Sequence, residues 1–258
     1  MAVTVSEWER VAPFFAEEVE RYCVAGSGGE LTAAGASTVR TNSELVPKRA
    51  GVLLDWLHRL VGRDSLEGLR VLEMGCGFGA LACYLALSES ASVTAVDIDE
   101  RMLSVARAAL GRSGTAALVE LVQADMRDLS QFPDASFDVA ILNNSFIYVP
   151  TAGEQAAALR ELWRTLEPGG TILIFSANKW RWREPFTNDP IVHLLPRRLA
   201  DRTGWRHNHG RVRLVSPFEL KRRLRGAGFH DARMQLQPGR RGLVERNFTH
   251  FYGMAARR

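Results

Sequence analysis

The stretch that most constrains the fold is residues 71–80, which read Val-Leu-Glu-Met-Gly-Cys-Gly-Phe-Gly-Ala. An apolar run stops on an acid, Glu73, and then breaks into the alternating glycines Gly75, Gly77 and Gly79. A buried strand would deliver Glu73 to its carboxyl end, and glycines remove the Cβ atoms that would keep a ligand off the backbone. A helix that starts after them turns its free N–H groups into the same crevice. The sequence therefore predicts a strand, loop and helix around a nucleotide-sized site.

From this point the chain alternates between strand and helix patterns at spacings that require parallel pairing. The predicted parallel strands are 69–73, 92–97, 118–123, 137–142 and 171–176. Asp99 is expected to cap the helix after the second strand, and a helix beginning at Ser216-Pro217 precedes two final strands, 232–237 and 248–255, which form a hairpin. The prediction is an α/β fold with a doubly wound, seven-stranded, mainly parallel sheet that ends in an antiparallel hairpin. Its binding site lies at the carboxyl ends of the strands.

The first 44 residues predict an N-terminal helical lid, although the apolar face of the first helix could also serve only to pack on the core. Apolar residues recur at three- and four-residue steps from Trp8 to Tyr22, and Pro13 fits such a helix if it lies in the first turn. Small residues at 26–29 and 35–37 suggest a flexible loop, and Thr41 with Glu44 suggests a capping box for a second helix. A substrate-side insertion at 177–215, rich in tryptophan and arginine, is expected to complete the lid.

Composition limits the remaining possibilities. No run approaches eighteen uninterrupted apolar residues, the first residues lack a signal-peptide pattern, and the three cysteines suit neither a disulfide framework nor a zinc site. We expect a cytoplasmic protein without a metal. The net charge of +4 conceals a net of −9 over residues 1–175 and +13 over the rest, so an anionic partner could approach the C-terminal third.

The glycine loop alone leaves two cofactor classes open. Gly75-x-Gly77-x-x-Ala80 satisfies the dinucleotide fingerprint, and Asp97 stands where a ribose-binding acid belongs, so NAD remains possible. Four further features favour the other class: Glu73 two residues before the glycines, Asp125-Met126 after the third strand, Glu167-Pro-Gly-Gly before the fifth, and the terminal hairpin.

Together these features resemble the class I S-adenosylmethionine (SAM)-dependent methyltransferases, densely over residues 69–178 and more loosely over 216–258. Glu73-x-Gly-x-Gly-x-Gly79 is similar to the family's first motif, and residues 166–174 are similar to its strand-five motif. The resemblance implies that residues 45–258 form a SAM-binding methyltransferase domain and that S-adenosylhomocysteine is the product of the cofactor.

The resemblance also implies a role for each cofactor residue. Glu73 would orient the methionine amino group, and Asp97 would accept both ribose hydroxyls. Ile98 and Met126 would sandwich the adenine, while Asp125 accepts from its exocyclic amine. Two groups of residues would act through the backbone: Gly75, Cys76, Gly77 and Gly79 against the methionine and ribose, and Asn143 through its carbonyl at the methionine end. The thiol of Cys76 is expected only to fill space in the loop.

The implied chemistry is an in-line displacement at a sulfonium methyl carbon, in which the protein supplies alignment and excludes water. An oxygen nucleophile needs its proton removed, so we expect a histidine base, with His209 ahead of His193 because both lie in the insertion. Tyr148, just past the fourth strand, is a candidate for contact with the substrate.

The acceptor is less constrained. The preferred prediction is O-methylation of an aromatic, polyketide-like or quinone-type small molecule, which could be anionic or lipophilic, with peripheral membrane contact for a lipid substrate. The alternatives are C- or N-methylation of a small molecule or lipid, methylation of tRNA or another RNA through the basic C-terminal third, and a SAM-assisted reaction without transfer, such as a cyclisation. Nucleic acid is disfavoured because the chain lacks the motifs of base methylation and a separate RNA-binding module.

Overall fold

The computed structural model describes residues 5–180, 213–236 and 250–257. Its helices are α1 (Val5–Gly26), α2 (Ala33–Thr41), α3 (Val46–Val61), α4 (Ala80–Glu89), α5 (Glu100–Ser113), α6 (Ala152–Thr165) and α7 (Pro217–Gly226). Its strands are β1 (Arg70–Met74), β2 (Ser92–Asp97), β3 (Val119–Gln123), β4 (Phe137–Asn143), β5 (Leu166–Ala177), β6 (Phe229–Leu236) and β7 (His250–Arg257). Most of the insertion, including His193 and His209, lies outside the described residues.

The seven strands form one sheet in the order β3-β2-β1-β4-β5-β7-β6. β2 pairs in parallel with β1 and with β3, whereas β7 pairs antiparallel with both β5 and β6. β1, β2 and β4 are mostly buried, as expected for strands of a sheet covered on both faces. The predicted α/β class, the mainly parallel sheet and the antiparallel hairpin are therefore confirmed.

The chain divides into two compact units: residues 1–125 with 137–139, and residues 126–136 with 140–258. In the first unit, α1 packs against α2, α4 and α5, burying an apolar face that comprises Trp8, Val11, Phe15 and Val19. Pro13 lies in the interior of α1, not in its first turn. The helix tolerates it because Pro13 and Glu9 are both exposed, so water can reach the Glu9 carbonyl that lacks an N–H donor.

The predicted capping box of Thr41 and Glu44 is wrong. Thr41 is the last residue of α2, and α3 starts after Leu45 without a side-chain cap. The Asn42 amide and the Ser43 hydroxyl instead bond back to the carbonyls of Thr38 and Val39, so this polar segment closes α2 and does not open α3.

The predicted small-residue loop at 35–37 is helical. Thr32 caps α2 by accepting a hydrogen bond from the Gly35 N–H. A Cβ on Gly35 would lie 3.0 Å from Leu31 Cδ1 and 3.2 Å from Cys23 Cβ. Gly35 therefore allows close packing against α1, a role that glycine patterns in a sequence do not distinguish from flexibility.

In the second unit, α7 begins with a capping box: the Ser216 hydroxyl accepts from the Glu219 N–H, and the Glu219 carboxylate accepts from the Ser216 N–H. Leu220 of this helix packs so closely on β7 that a Cβ on Gly253 would lie 2.5 Å from it. The helix predicted from Ser216-Pro217 and the hairpin behind it are confirmed.

None of the helices in the described part of the chain is both long enough and apolar enough to cross a membrane.

Candidate cofactor site

The glycine loop follows β1 and is held by the neighbouring strand. The N–H groups of Gly75 and Cys76 both donate to the Val96 carbonyl of β2, at 2.7 and 3.0 Å, and the Gly79 N–H closes a turn onto the Cys76 carbonyl at 3.0 Å. This anchoring fixes the path of the loop at the carboxyl ends of β1 and β2, so that the loop enters α4 directly at Ala80.

Gly79 is a position where only glycine fits without strain. Its φ is +72°, in the left-handed region that side chains rarely adopt. A Cβ there would also come within 3.2 Å of the Ala106 Cβ on α5. The glycine therefore lets the loop lie directly against α5 as it turns into α4.

Asp97, the last residue of β2, is held by two backbone groups. One carboxylate oxygen accepts from the Gly77 N–H at 2.8 Å and the other from the Asp99 N–H at 2.9 Å. A carboxylate has about four acceptor positions, so each oxygen keeps one for a ligand. The half-buried side chain is thus aimed by the glycine loop on one side and by the start of α5 on the other.

Glu73 is the most unusual group in this unit. Its side chain is 2% exposed, and its Oε2 atom has no hydrogen-bond partner among the described residues. Burial raises the pKa of Glu73 to about 8, the charge of Asp97 adds to the rise, and the Ala82 N–H and the Arg49 guanidinium oppose it. A buried carboxyl beside a second carboxylate favours a cationic ligand, because a positive charge would stabilise both.

The arrangement also separates the two cofactor classes. A dinucleotide would bring its pyrophosphate to the glycine loop beside the Glu73 carboxyl, whereas SAM brings an ammonium there. The unpartnered Oε2 atom and the glycine-lined loop are the features that a methionine amino group and a ribose require. The residues of this unit therefore fit SAM.

Ile98 and Asp125 lie at the adjacent strand ends. Asp97 pairs with Gln123 in the register of β2 and β3, and the Gln123 amide donates to the Ile98 carbonyl at 3.2 Å. Ile98 is 60% exposed, which is unusual for a large apolar residue and suits a flat ligand surface. Asp125 is half-buried two residues beyond β3.

The thiol of Cys76 has the inert surroundings expected for a loop filler. The residue is 8% exposed. Burial, with smaller contributions from the charges of Glu73 and Asp97, raises the pKa of the Cys76 thiol far above its usual range. The thiol therefore stays protonated and is not a nucleophile.

The remaining predicted residues belong to the second unit or lie outside the described residues. Met126 and Asn143 are half-buried, and Asn143 ends β4. Tyr148 is 57% exposed at the end of the 3₁₀ turn Phe146–Tyr148. Neither His193 nor His209 falls within the described residues.

Three residues of the first unit lie near the candidate site but were not predicted from the sequence to do so. The positive charge of Arg49 on α3 lowers the pKa of Glu73. Phe78 is buried within the glycine loop, and the Tyr22 ring of α1 packs on it. Only the position of Phe78 between two glycines marked it in the sequence. The other two come from helices whose packing partners the sequence does not specify.

Comparison with known proteins identifies the family. Residues 72–174 match the family described as "Methyltransferase domain". The chain is 32% identical to the ubiquinone biosynthesis O-methyltransferase of Aromatoleum aromaticum, over 70% of this chain and 71% of that protein. It is 30% identical to the ubiquinone/menaquinone biosynthesis C-methyltransferase of Vibrio vulnificus, over 68% and 72% respectively.

A similar fold occurs in a crystal structure of a SAM-dependent methyltransferase from Methanosarcina mazei, with a TM-score of 0.54 and 21% identity over 74% of this chain and 93% of that one. The fold, the relatives and the glycine loop flanked by the carboxyl groups of Glu73 and Asp97 all point to the same family. The chain belongs to the class I SAM-dependent methyltransferases.

Proposed function

We propose that this methyltransferase moves the methyl group of SAM to a hydroxyl of a small aromatic, polyketide-like or quinone-type acceptor. The choice of acceptor is supported by the relatives, of which one is named as an O-methyltransferase of ubiquinone biosynthesis. An anionic group on the acceptor would also suit the arginine-rich C-terminal third.

The observation that carries the cofactor assignment is the buried carboxyl of Glu73 beside Asp97, whose Oε2 atom has no hydrogen-bond partner among the described residues. Bound SAM supplies an electrophilic methyl group on a positively charged sulfur. Glu73, ionised by the approach of the methionine ammonium, would orient that end of the cofactor. Asp97 would bind the ribose hydroxyls with the acceptor positions that Gly77 and Asp99 leave free.

The adenine end follows from the neighbouring strand ends. We propose that the exposed Ile98 and the half-buried Met126 sandwich the ring and that Asp125 accepts from the exocyclic amine. The backbone of Gly75, Cys76, Gly77 and Gly79 would pack along the methionine and ribose, and the Asn143 carbonyl would contact the methionine end. These residues hold and align; the displacement itself needs alignment and exclusion of water more than covalent participation by the protein.

Proton removal from the acceptor hydroxyl is assigned to a histidine of the insertion. His209 remains the first candidate and His193 the second. Tyr148 is proposed as a substrate contact, because it is exposed and lies five residues beyond the end of β4. A base of this kind typically contributes about 10²–10⁴-fold to the rate.

A second candidate function is C-methylation, favoured by the similarity to the C-methyltransferase of Vibrio vulnificus. The same cofactor residues would serve it, since the two reactions differ at the acceptor. N-methylation, RNA methylation and a cyclisation that uses SAM without transfer have less support, because the relatives compared above are named for quinone biosynthesis.

The experiment is a transfer assay with methyl-labelled SAM and a panel of catechols, hydroxyquinones and their carboxylated forms, with bulk tRNA as a parallel acceptor. We expect label in an aryl methyl ether, identified by mass spectrometry and NMR, together with one S-adenosylhomocysteine per methyl group. The inactive control is Asp97→Ala. Label on ring carbon would replace the O-methylation assignment with the second candidate, and label in tRNA alone would overturn the small-molecule acceptor.

A further inference from the structure

Helix α1 is fastened to α5 by charge as well as by its apolar face. The Arg112 guanidinium bonds to Glu17 and to Glu18, each at 2.6 Å, and lies 5.3 Å from the centre of the Phe14 ring. Glu18 is 9% exposed, so its ion pair is better shielded than an ordinary surface pair. These contacts therefore hold the C-terminal half of α1 in a fixed position against α5.

That half presents Tyr22 to the glycine loop. The rings of Tyr22 and Phe78 lie 5.3 Å apart at 69°, an edge-to-face contact. Phe78 is 6% exposed and stands between Gly77 and Gly79, both at positive φ. Since the glycines that flank Phe78 restrict the backbone little, the packing of the Phe78 ring adds to the backbone hydrogen bonds that hold this part of the loop.

The same part of the loop sets the ribose site. Gly77, the residue before Phe78, donates to Asp97 at 2.8 Å. The pKa of Arg101, at the start of α5, is raised first by its pair with Asp99 and then by Tyr22, so Tyr22 lies within electrostatic range of the Arg101 side chain. Tyr22 thus contacts the residue that follows Gly77, one of the two backbone donors that hold the Asp97 carboxylate.

We propose that Tyr22 is a positioning residue of the cofactor site, which clamps the glycine loop through Phe78 and so keeps the Gly77 N–H on Asp97. The inference rests on the proposed cofactor residues and adds one that no motif marks. It makes α1 part of the cofactor site, because the Tyr22 ring contacts the loop residue next to the Gly77 N–H that bonds Asp97.

The test is calorimetric titration of S-adenosylhomocysteine into wild type and into Tyr22→Leu, Tyr22→Phe and Phe14→Leu. Phe14 is the matched control, a half-buried aromatic on the same helix that packs on Arg112. Because Tyr22→Leu removes an aromatic edge contact, it should weaken binding about three- to tenfold. Tyr22→Phe, which keeps the ring, should stay within about twofold of wild type, and so should Phe14→Leu.

Steady-state kinetics provide the second readout. Tyr22→Leu should raise the KM for SAM and leave kcat within about twofold, because the clamp acts on cofactor binding. Three outcomes would overturn the proposal: wild-type affinity in Tyr22→Leu, an equal loss in Phe14→Leu, or an equal loss in Tyr22→Phe. Failure of the wild type to bind S-adenosylhomocysteine, or wild-type affinity in Asp97→Ala, would instead overturn the proposed cofactor site, so the two failures are distinct.

Discussion

The Gly77 N–H donates to the Asp97 carboxylate at 2.8 Å, which ties the glycine loop after β1 to the acid that ends β2. Two sequence motifs twenty residues apart thereby form one unit. A displacement of the loop would therefore displace the carboxylate, and a substitution in either segment should alter the position of the other.

Asp97→Ala should weaken binding of S-adenosylhomocysteine by about 100-fold or more, because it removes the proposed acceptor of both ribose hydroxyls and hydrogen bonds to a charged group are worth about 1.5–3 kcal/mol each. Isothermal titration calorimetry measures the effect. Asp99→Ala is the control: it removes the α5 cap but leaves the Asp97 carboxylate in place. Affinity within threefold of wild type for Asp97→Ala would show that the ribose binds elsewhere.

Gly79→Ala should destabilise the protein by about 1–3 kcal/mol, since a residue with a Cβ at φ +72° is strained and the new Cβ would press on Ala106 at 3.2 Å. Gly51→Ala is the matched control, because a Cβ there meets nothing within 4 Å inside α3. It should stabilise by about 0.5–1 kcal/mol. Chemical denaturation of both variants gives the free energies of unfolding; equal effects would contradict the assigned role of Gly79.

Glu73 should make the ligand-free protein less stable as pH rises. Its pKa is about 8 when folded against a reference value of 4.5, so between these values the folded state binds the extra proton. The stabilisation is complete below about pH 4.5 and is lost through pH 8, with a slope of at most about 1.4 kcal/mol per pH unit. Unfolding free energies at pH 5, 6, 7 and 8 should therefore fall more steeply in wild type than in Glu73→Gln. Parallel profiles would mean that the carboxyl titrates normally.

Ser216→Ala should cost about 1 kcal/mol, because the buried hydroxyl caps α7 and forms half of a capping box. Thr41→Ala should change stability by less than about 0.5 kcal/mol, since Thr41 ends α2 and caps nothing. Thermal unfolding should separate the pair by roughly 2–4 °C for a chain of this size. A larger loss at Thr41 than at Ser216 would favour the capping pattern read from the sequence over the observed helix boundary.

The contrast between Ser216 and Thr41 shows which helix boundaries can be predicted from the sequence and which cannot. Both stand three residues before a glutamate, but only Ser216 precedes a residue that starts a helix, the proline at 217. At Thr41 the same spacing occurs where Asn42 and Ser43 bond backward to α2. Polar residues can close one helix or open the next, and the local pattern does not decide between these outcomes.

The sheet was more predictable than the helices that cover it. The strand Ser92–Asp97 has the predicted bounds, because a buried apolar run that ends on an acid has few alternatives. β5 begins at Leu166, five residues before the prediction, since Pro168 and the glycines after it suggest a turn. Here the Arg257 side chain donates to the carbonyls of Arg164 and Leu166, a contact from the far end of the chain.

The residues of the candidate site also divide into those predicted from the sequence and those that only the structure identifies. Glu73, Gly77 and Asp97 were named from spacing, and the hydrogen bonds and burial around them agree with a cofactor site. The contribution of Tyr22 and Arg49 could not be foreseen, because each acts through the packing of a separate helix on the loop.

The central claim is that the buried Glu73 carboxyl receives the methionine ammonium, and one calorimetric comparison tests it directly. S-adenosylhomocysteine and 5′-methylthioadenosine share the adenosine and the thioether, but only the former carries the amino acid. Wild type should prefer S-adenosylhomocysteine by about 10- to 100-fold, consistent with a charge-assisted hydrogen bond. Glu73→Gln should lose most of that preference while its affinity for 5′-methylthioadenosine stays within about threefold of wild type. An undiminished preference in Glu73→Gln would contradict the account.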